Sequence, residues 1–351
     1  MTNHTHKLAV VIMRAQLPTH AHFGLINEAF KAAPHVLVLL GSTNLAPSFK
    51  NPFSFEQRRE MIQAGLPALQ NMKTAFFALK DMPTDFDWEE QVLGAIKRSK
   101  RSLGITQESD VTLVAHEKDD SSYYVRNFPQ LGLTLVPSFG NYNATDARTK
   151  MVTGQSLEGY TPSPVINWIE KNYKANPKEP FGFDYIVGQY KAAKAFKKDY
   201  EDLPHGINFI TGDALVVCGS YVLLVQRAGK IGRDQWALPG GFKEPGETID
   251  ACITRELNEE TKIDVPPRAL RQAFKGKDPF NKPDRDPRGD FTTFCGVFII
   301  EPNADSSCPE VIPQSDAKNV QWKHIAEIKD MSRYLFADHG NIIETQMRKY
   351  L

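Results

Sequence analysis

The sequence predicts two successive domains: a parallel α/β sheet unit over residues 1–175, then a mixed α+β unit over residues 206–351, joined by a 176–205 linker carrying a bridging helix. Three observations carry this. At 351 residues the chain exceeds the size at which one hydrophobic core stops growing. Its first half alternates short, continuous apolar runs with amphipathic stretches, as a parallel sheet covered on both faces requires. After His205-Gly206 the pattern changes to short strands, a long loop, one helix and more strands.

In order, the first half reads as a strand Leu8 to Met13, an amphipathic helix near His22 to Ala32, and a buried strand Val36 to Leu40 ending in Gly41-Ser42. A helix near Phe55 to Ala64, a strand around Lys73 to Phe77, a helix near Asp87 to Lys100 and a strand Asp110 to Ala115 follow. In such sheets ligands bind beyond the carboxyl ends of the strands. Asn172 to Pro180 is polar, lysine-rich and without hydrophobic period, so it starts a linker, and Tyr185 to Phe196 is the bridging helix. Beyond it, strands are expected at Asn208 to Thr211, Ala214 to Cys218 and Tyr221 to Gln226. No internal repeat is present.

Composition narrows the function. Acidic and basic residues number 42 each, so nothing drives the counterion-releasing attraction of general nucleic-acid binding, and small charged metabolites fit better. The four cysteines show no Cys-x-x-Cys spacing, which suits a reducing, cytoplasmic setting and argues against a zinc site. The first apolar run, Leu8 to Met13, is too short for a secretory signal, and no run approaches membrane-spanning length. Neither a membrane nor a nucleic-acid partner is expected, and self-association is left open.

The most specific segment begins at Gly241 and runs through Pro245, Gly246 and Glu247 into Arg255-Glu256-Leu257-Asn258-Glu259-Glu260. Glycines and Pro245 force a loop, and Glu247 or Thr248 can then start a helix near Ile249. At about 100° per residue, Glu256, Glu259 and Glu260 share an arc of about 100°. An acidic cluster is usually a solvated face, and Arg255 with Glu259 has the spacing of an ordinary i, i+4 ion pair. Glu260, however, falls among the apolar stripe of Ile249, Ile253 and Leu257, where a carboxylate needs compensation that a divalent cation supplies. Hard oxygen ligands point to magnesium or manganese.

These residues resemble the Nudix box, Gly-x5-Glu-x7-Arg-Glu-U-x-Glu-Glu-x-Gly-U with U aliphatic. Gly241, Glu247, Arg255, Glu256, Leu257, Glu259, Glu260 and Ile263 match, while Lys262 stands in place of the last glycine, which puts the helix-terminating turn in question. The resemblance implies that Glu256, Glu259 and Glu260 hold Mg2+ or Mn2+ on a diphosphate while an activated water attacks phosphorus. Upstream, Val225-Gln226-Arg227 and Trp236 to Gly240 resemble the superfamily's approach to the box. Downstream, Asp284 to Gly289, with Arg288 as a phosphate or ribose contact, resembles a segment of ADP-ribose pyrophosphatases; four residues are also compatible with a charged surface turn.

In the first half, Met13 to Phe23 leads from a strand into a helix N-terminus, a natural phosphate site. It resembles the nicotinamide-nucleotide adenylyltransferase opening Gly-Arg-Phe-Gln-Pro-Phe-His-x-Gly-His. Arg14, Gln16, Thr19 and His22 match; Met13, Ala15, Leu17 and Ala21 depart, and proline sits one place late. Ala21 adds a methyl where backbone approaches phosphate, which implies reduced activity or a shifted pose. Ser42, Asn51 and Arg58, then Lys118, Asp119, Ser121 and Tyr124, then Thr145 and Arg148, stand in segments that also resemble the family, which implies that these residues, with Arg14 and Gln16, contact the substrates. His22, Thr19 and Arg148 are thereby implied in stabilising charge during adenylyl transfer, without a protein nucleophile.

Taken together, the chain resembles the bifunctional nicotinamide-mononucleotide adenylyltransferase/ADP-ribose pyrophosphatase family, a Rossmann-like nucleotidyltransferase followed by a Nudix hydrolase. The implied small-molecule partners are ATP, nicotinamide mononucleotide, NAD and ADP-ribose. Three alternatives stay open: a hydrolase of another nucleoside diphosphate derivative, such as NADH or an ADP-sugar; a first domain that is another adenylyl- or cytidylyltransferase of the same fold; and a first domain that binds nucleotide for regulation without chemistry.

Overall fold

The apolar run that opens the chain forms strand β1 (Leu8–Met13), and the first unit continues with α1 (His20–Ala32), β2 (His35–Leu40), α2 (Phe55–Gly65), α3 (Ala68–Met72) and β3 (Thr74–Ala78). After these come α4 (Asp85–Leu103), β4 (Val111–His116), β5 (Gly132–Val136), α5 (Ala144–Val152) and α6 (Ser163–Trp168). The computed structural model describes residues 4–116, 127–140, 142–177, 179–203, 205–283, 285–315 and 317–351. It divides into two compact units, Met1–Thr43 with Lys50–Val187, and Asn44–Phe49 with Gly188–Leu351. Among the described residues no helix is long and apolar enough to cross a membrane.

The first unit's strands pair in parallel in the order β3-β2-β1-β4-β5. The chain moves outward from β1 to β3 and then returns to β4 beside β1. At such a reversal the loops leaving the carboxyl ends of β1 and β4 diverge and leave a crevice. Continuous burial of Val10, Leu37, Leu39 and Leu113 against Val92 and Ile96 of α4 explains why these strands read as unbroken apolar runs. Strand β5 escaped the sequence reading because Leu133 and Leu135 lie half exposed at the sheet edge and give no apolar run.

The second unit follows α7 (Phe183–Lys198) with β6 (Asn208–Cys218), β7 (Tyr221–Arg227), β8 (Trp236–Ala237), β9 (Gly240–Phe242), α8 (Ile249–Thr261) and α9 (Pro267–Ala273). Strands β10 (Phe274–Phe280), β11 (Asp290–Ile300) and β12 (Ala317–His324) and helices α10 (Ile325–Asp330) and α11 (His339–Tyr350) complete it. The sheet order is β10-β11-β6-β7-β12, with β9 on β6 and β8 on β7. It is mixed, because β11 and β6 run parallel while the other pairs are antiparallel.

One expectation is corrected here. Asn208–Thr211 and Ala214–Cys218 are not two strands; Gly212 continues the ladder, pairing with Phe294. The glycine marks close packing rather than a break. A Cβ there would lie 2.9 Å from both Cys252 Sγ and Ile253 Cγ1 of α8, and a Cβ on Gly296 would lie 3.1 Å from Ile253 Cγ2. Helix α8 is therefore seated on two bare stretches of sheet, which brings its carboxylates to Gly240 and Gly241 of β9.

Candidate active sites

In the first unit, a cavity of about 750 Å3 opens at the crevice between β1 and β4. Arg14, Ala21 and His22 line it, with His116 and Asp146 from the two later family-like segments and with Ser138 and Tyr142, which the sequence reading did not single out. Thr19 is the N-cap of α1, so the helix starts two residues earlier than its periodicity suggests. The Thr19 N–H donates to His22 Nδ1 at 3.0 Å. A ring nitrogen that accepts from an amide carries no proton, so neutral His22 holds its proton on Nε2 as a donor.

The other sequence candidates stand outside the lining and build the loop. Gln16 clamps Phe53, donating to its carbonyl at 3.2 Å and accepting from its N–H at 3.0 Å. Arg58, 0% exposed, donates to the carbonyls of Arg14 (2.6 Å), Gly41 (2.8 Å) and Ser54 (3.2 Å), holding the ends of β1 and β2 together. Arg14 donates to Asn51 at 2.7 Å, and Ser42 to Asp81 at 2.9 Å. Arg148 donates to the Gln16 carbonyl at 2.9 Å and to Thr145 Oγ1 at 3.0 Å; burial, and then nearby Arg14, brings its pKa down to about 10. Leu17 has φ 88°, which explains the displaced proline: proline is locked near −65° and could not occupy this position. Lys118, Asp119, Ser121 and Tyr124 lie outside the described residues.

In the second unit, the residues between Gly241 and Glu260 form one network. Arg255 binds Glu247 through two nitrogens (2.8 and 3.1 Å), Glu256 at 2.8 Å, Glu259 at 3.0 Å and the Phe242 carbonyl at 2.9 Å. Its hydrogen bond holds the Glu247 carboxyl down to about 2. Gly241 is required by space: a Cβ there would meet the Glu256 carboxylate at 2.5 to 2.7 Å. Helix α8 starts at Thr248, whose hydroxyl accepts from Ala251 N–H, and ends at Lys262, which takes the left-handed conformation (φ 42°, ψ 41°) that glycine has in the motif. The turn in question is therefore made, at a strain cost.

Glu260 turns the other way, 8% exposed, and its Oε2 accepts from Gly240 N–H at 3.0 Å. Burial pushes its carboxyl up to about 8 despite that bond and Arg227. Glu260, Gly241, Arg227 and Arg288 line a cavity of about 120 Å3 together with Asp213, Arg285, Asp286 and His339. Arg227 lies over the Phe336 ring at 4.2 Å, and Arg288 forks Asp286 at 2.7 and 2.9 Å while lying over Phe291 at 4.4 Å. Asp284 lies outside the described residues. Sequence reasoning missed Asp213 and His339. The signal available for Asp213 was an acidic residue inside an otherwise apolar strand; for His339 there was none.

Among the described residues no three His, Cys, Asp or Glu side chains form a ready-made metal cluster, since Arg255 ties down Glu256 and Glu259 while Glu260 faces Gly240. The donor chemistry nevertheless fits a divalent cation. Burial raises the pKa of Glu256 and of Glu260, the latter up to about 8, and neighbouring carboxylates raise each further. A hard cation relieves that strain.

Comparison with known proteins matches both halves. Residues 210–346 match the NUDIX domain. The chain is 32% identical over 162 residues to the nicotinamide/nicotinic acid mononucleotide adenylyltransferase of Acinetobacter baylyi, covering 46% of this chain and 84% of that one. It is 31% identical over 136 residues to the ADP-ribose pyrophosphatase of Methanocaldococcus jannaschii, covering 39% and 71%. The crystal structure of a bifunctional NMN adenylyltransferase/ADP ribose pyrophosphatase from Francisella tularensis aligns with 99% of this chain and 100% of its own, at a TM-score of 0.87 and 30% identity. The chain belongs to this bifunctional family.

A second Francisella structure, complexed with AMP and a manganese ion, aligns over 99% of this chain and 100% of that one with a TM-score of 0.88 and 29% identity. Membership in the bifunctional adenylyltransferase/pyrophosphatase family accounts for the order of the two sheets, parallel first and mixed second.

Proposed function

We propose that the first unit transfers the adenylyl group of ATP to nicotinamide mononucleotide, giving NAD and pyrophosphate, and that the second hydrolyses ADP-ribose to AMP and ribose 5-phosphate. The observation that carries this reading is the correspondence of 99% of the chain with a protein that combines both activities. Its net charge of zero supports small-molecule rather than nucleic-acid partners, and its free cysteines support a cytoplasmic setting.

In the transferase, the nucleotide's phosphate oxygen attacks the α-phosphorus of ATP and pyrophosphate leaves. Our reading gives His22 Nε2–H and Arg14, which line the cavity, direct contact with the transferring phosphates. Thr19 fixes the His22 tautomer, and Arg148 with Thr145 adds positive charge behind the loop. Gln16, Ser42, Asn51 and Arg58 hold the loop ends in register. Ala21 leaves the phosphates less room than glycine does.

In the hydrolase, Glu256, Glu259 and Glu260 are the residues that would hold magnesium. When bound, the cation neutralises diphosphate oxygens and acidifies water. Arg255 and Glu247 hold the loop against α8, Gly241 keeps space for the Glu256 carboxylate, and Arg227 and Arg288 face the substrate's phosphates and sugars across the cavity.

The test measures pyrophosphate release from ATP plus nicotinamide mononucleotide, and AMP release from ADP-ribose, on one purified sample. His22→Ala should lower the first by about 10²- to 10³-fold and leave the second intact; Glu260→Gln should abolish the second and leave the first. Nucleotide binding without pyrophosphate release by the parent chain would establish a regulatory module instead, and faster cleavage of NADH or ADP-glucose than of ADP-ribose would overturn the substrate.

A further inference from the structure

The cavity beside α8 contains a buried acceptor that no described residue satisfies. Asp213 and His339 are each 5% exposed and both line it. Asp213 Oδ2 accepts no hydrogen bond from any described residue. His339 Nε2 stands 3.8 Å from it, beyond hydrogen-bond reach. The other ring nitrogen, Nδ1, accepts from Leu238 N–H at 3.0 Å, so the neutral ring carries its proton on Nε2, on the side of Asp213. Burial, and then the guanidinium groups of Arg285, Arg227 and Arg288, keep that ring neutral.

An acceptor and an N–H donor set 3.8 Å apart match one small group. A hydroxyl seated between them donates to the carboxylate and accepts from the ring, at about 2.8 Å from each. A cation would meet the N–H and the surrounding guanidinium groups, a plain anion would meet Asp213, and an apolar group would leave both partners unsatisfied. Glu260 lines the same cavity, so a diphosphate held at α8 brings a flanking sugar within reach of the pair.

We propose that Asp213 and His339 bind a sugar hydroxyl of the diphosphate substrate and make the second unit selective for substrates carrying it. The inference rests on the hydrolase reading and deepens it, by moving selectivity from Arg288, whose guanidinium is already forked on Asp286, to a pair whose buried acceptor no described residue satisfies. ADP-ribose has two sources of such a hydroxyl, the terminal ribose and the adenosine ribose, and single-deoxy analogues tell them apart.

The test compares kcat/KM of the full chain and of Asp213→Asn on ADP-ribose and on analogues lacking one hydroxyl of either ribose. In the wild type, deleting the contacted hydroxyl should cost about 10- to 100-fold, a hydrogen bond to a charged group. Asp213→Asn should lose as much on ADP-ribose, and the same deletion should then cost nothing further, since both changes remove one interaction. The sugar whose deletion falls silent is the one bound. Should Asp213→Asn fail to fold, judged by circular dichroism, His339→Gln must show the same silence. Full additivity in both variants, wild-type kcat/KM in Asp213→Asn, or loss of Mn2+ affinity in Asp213→Asn without nucleotide would each overturn the proposal. A wild-type chain that cleaves no ADP-ribose would overturn the hydrolase reading as well.

Discussion

Alanine at Gly241 tests the hydrolase geometry without touching a carboxylate. Its Cβ would lie 2.5, 2.6 and 2.7 Å from Oε1, Cδ and Oε2 of Glu256, whereas ordinary contact begins at 3.4 Å. The carboxylate must therefore retreat by about 0.7 to 0.9 Å, the shortfall from that contact distance. The backbone at Gly241 is not in the left-handed region, so the methyl acts through space alone. Glu256 also accepts from Arg255 Nη1 at 2.8 Å, so the retreat strains the network that positions Glu247 and Glu259. A misplacement near 1 Å costs about 10²-fold in rate, and weakening one partly exposed ion pair costs at most about 1 kcal/mol in stability. Gly241→Ala should thus release AMP from ADP-ribose about 10²-fold more slowly while keeping its melting temperature and its adenylyl transfer. Chromatographic AMP release, with pyrophosphate release on the same sample as control, reads both. Hydrolysis within about twofold of the wild type in a folded variant would refute the reasoning that the carboxylate's position over Gly241 matters.

Further outcomes follow from burial and backbone geometry. Burial raises Asp213 from 3.8 to about 7 and Glu260 from 4.5 to about 8, so both bind protons more tightly folded than unfolded. Raised groups contribute stability that is complete below the unfolded pKa and lost as pH climbs through the folded one. The contribution of these two groups should therefore be lost between about pH 4 and pH 8 in the cation-free chain, and denaturant titrations of Glu260→Gln should show a correspondingly smaller fall over that range than the wild type. Arg58→Met leaves the carbonyls of Arg14, Gly41 and Ser54 without their donor and should destabilise the first unit by about 3 kcal/mol or more, read as a lowered urea midpoint. Lys262→Gly removes a left-handed non-glycine residue and should raise stability by about 1 kcal/mol without changing hydrolysis; a fall in melting temperature would refute the strain argument.

Local periodicity and turn chemistry were enough to read β1, β2, β4 and α8, because an apolar run or a helical stripe is written within a dozen residues and its backbone bonds close nearby. The loop of glycines and Pro245, Thr248 as N-cap, and the shared face of three glutamates are of the same local kind. Tertiary structure decided the rest, since partner and desolvation are properties of distant segments. Gly212 looked like a break until α8 was placed on it, and Arg58 looked like a substrate ligand until two strand ends claimed its guanidinium. Arg255 draws two of the three glutamates to itself while the sheet buries the third beside Gly240. Asp213 and His339, on β6 and at the start of α11, become neighbours only when the sheet and that helix close around one cavity.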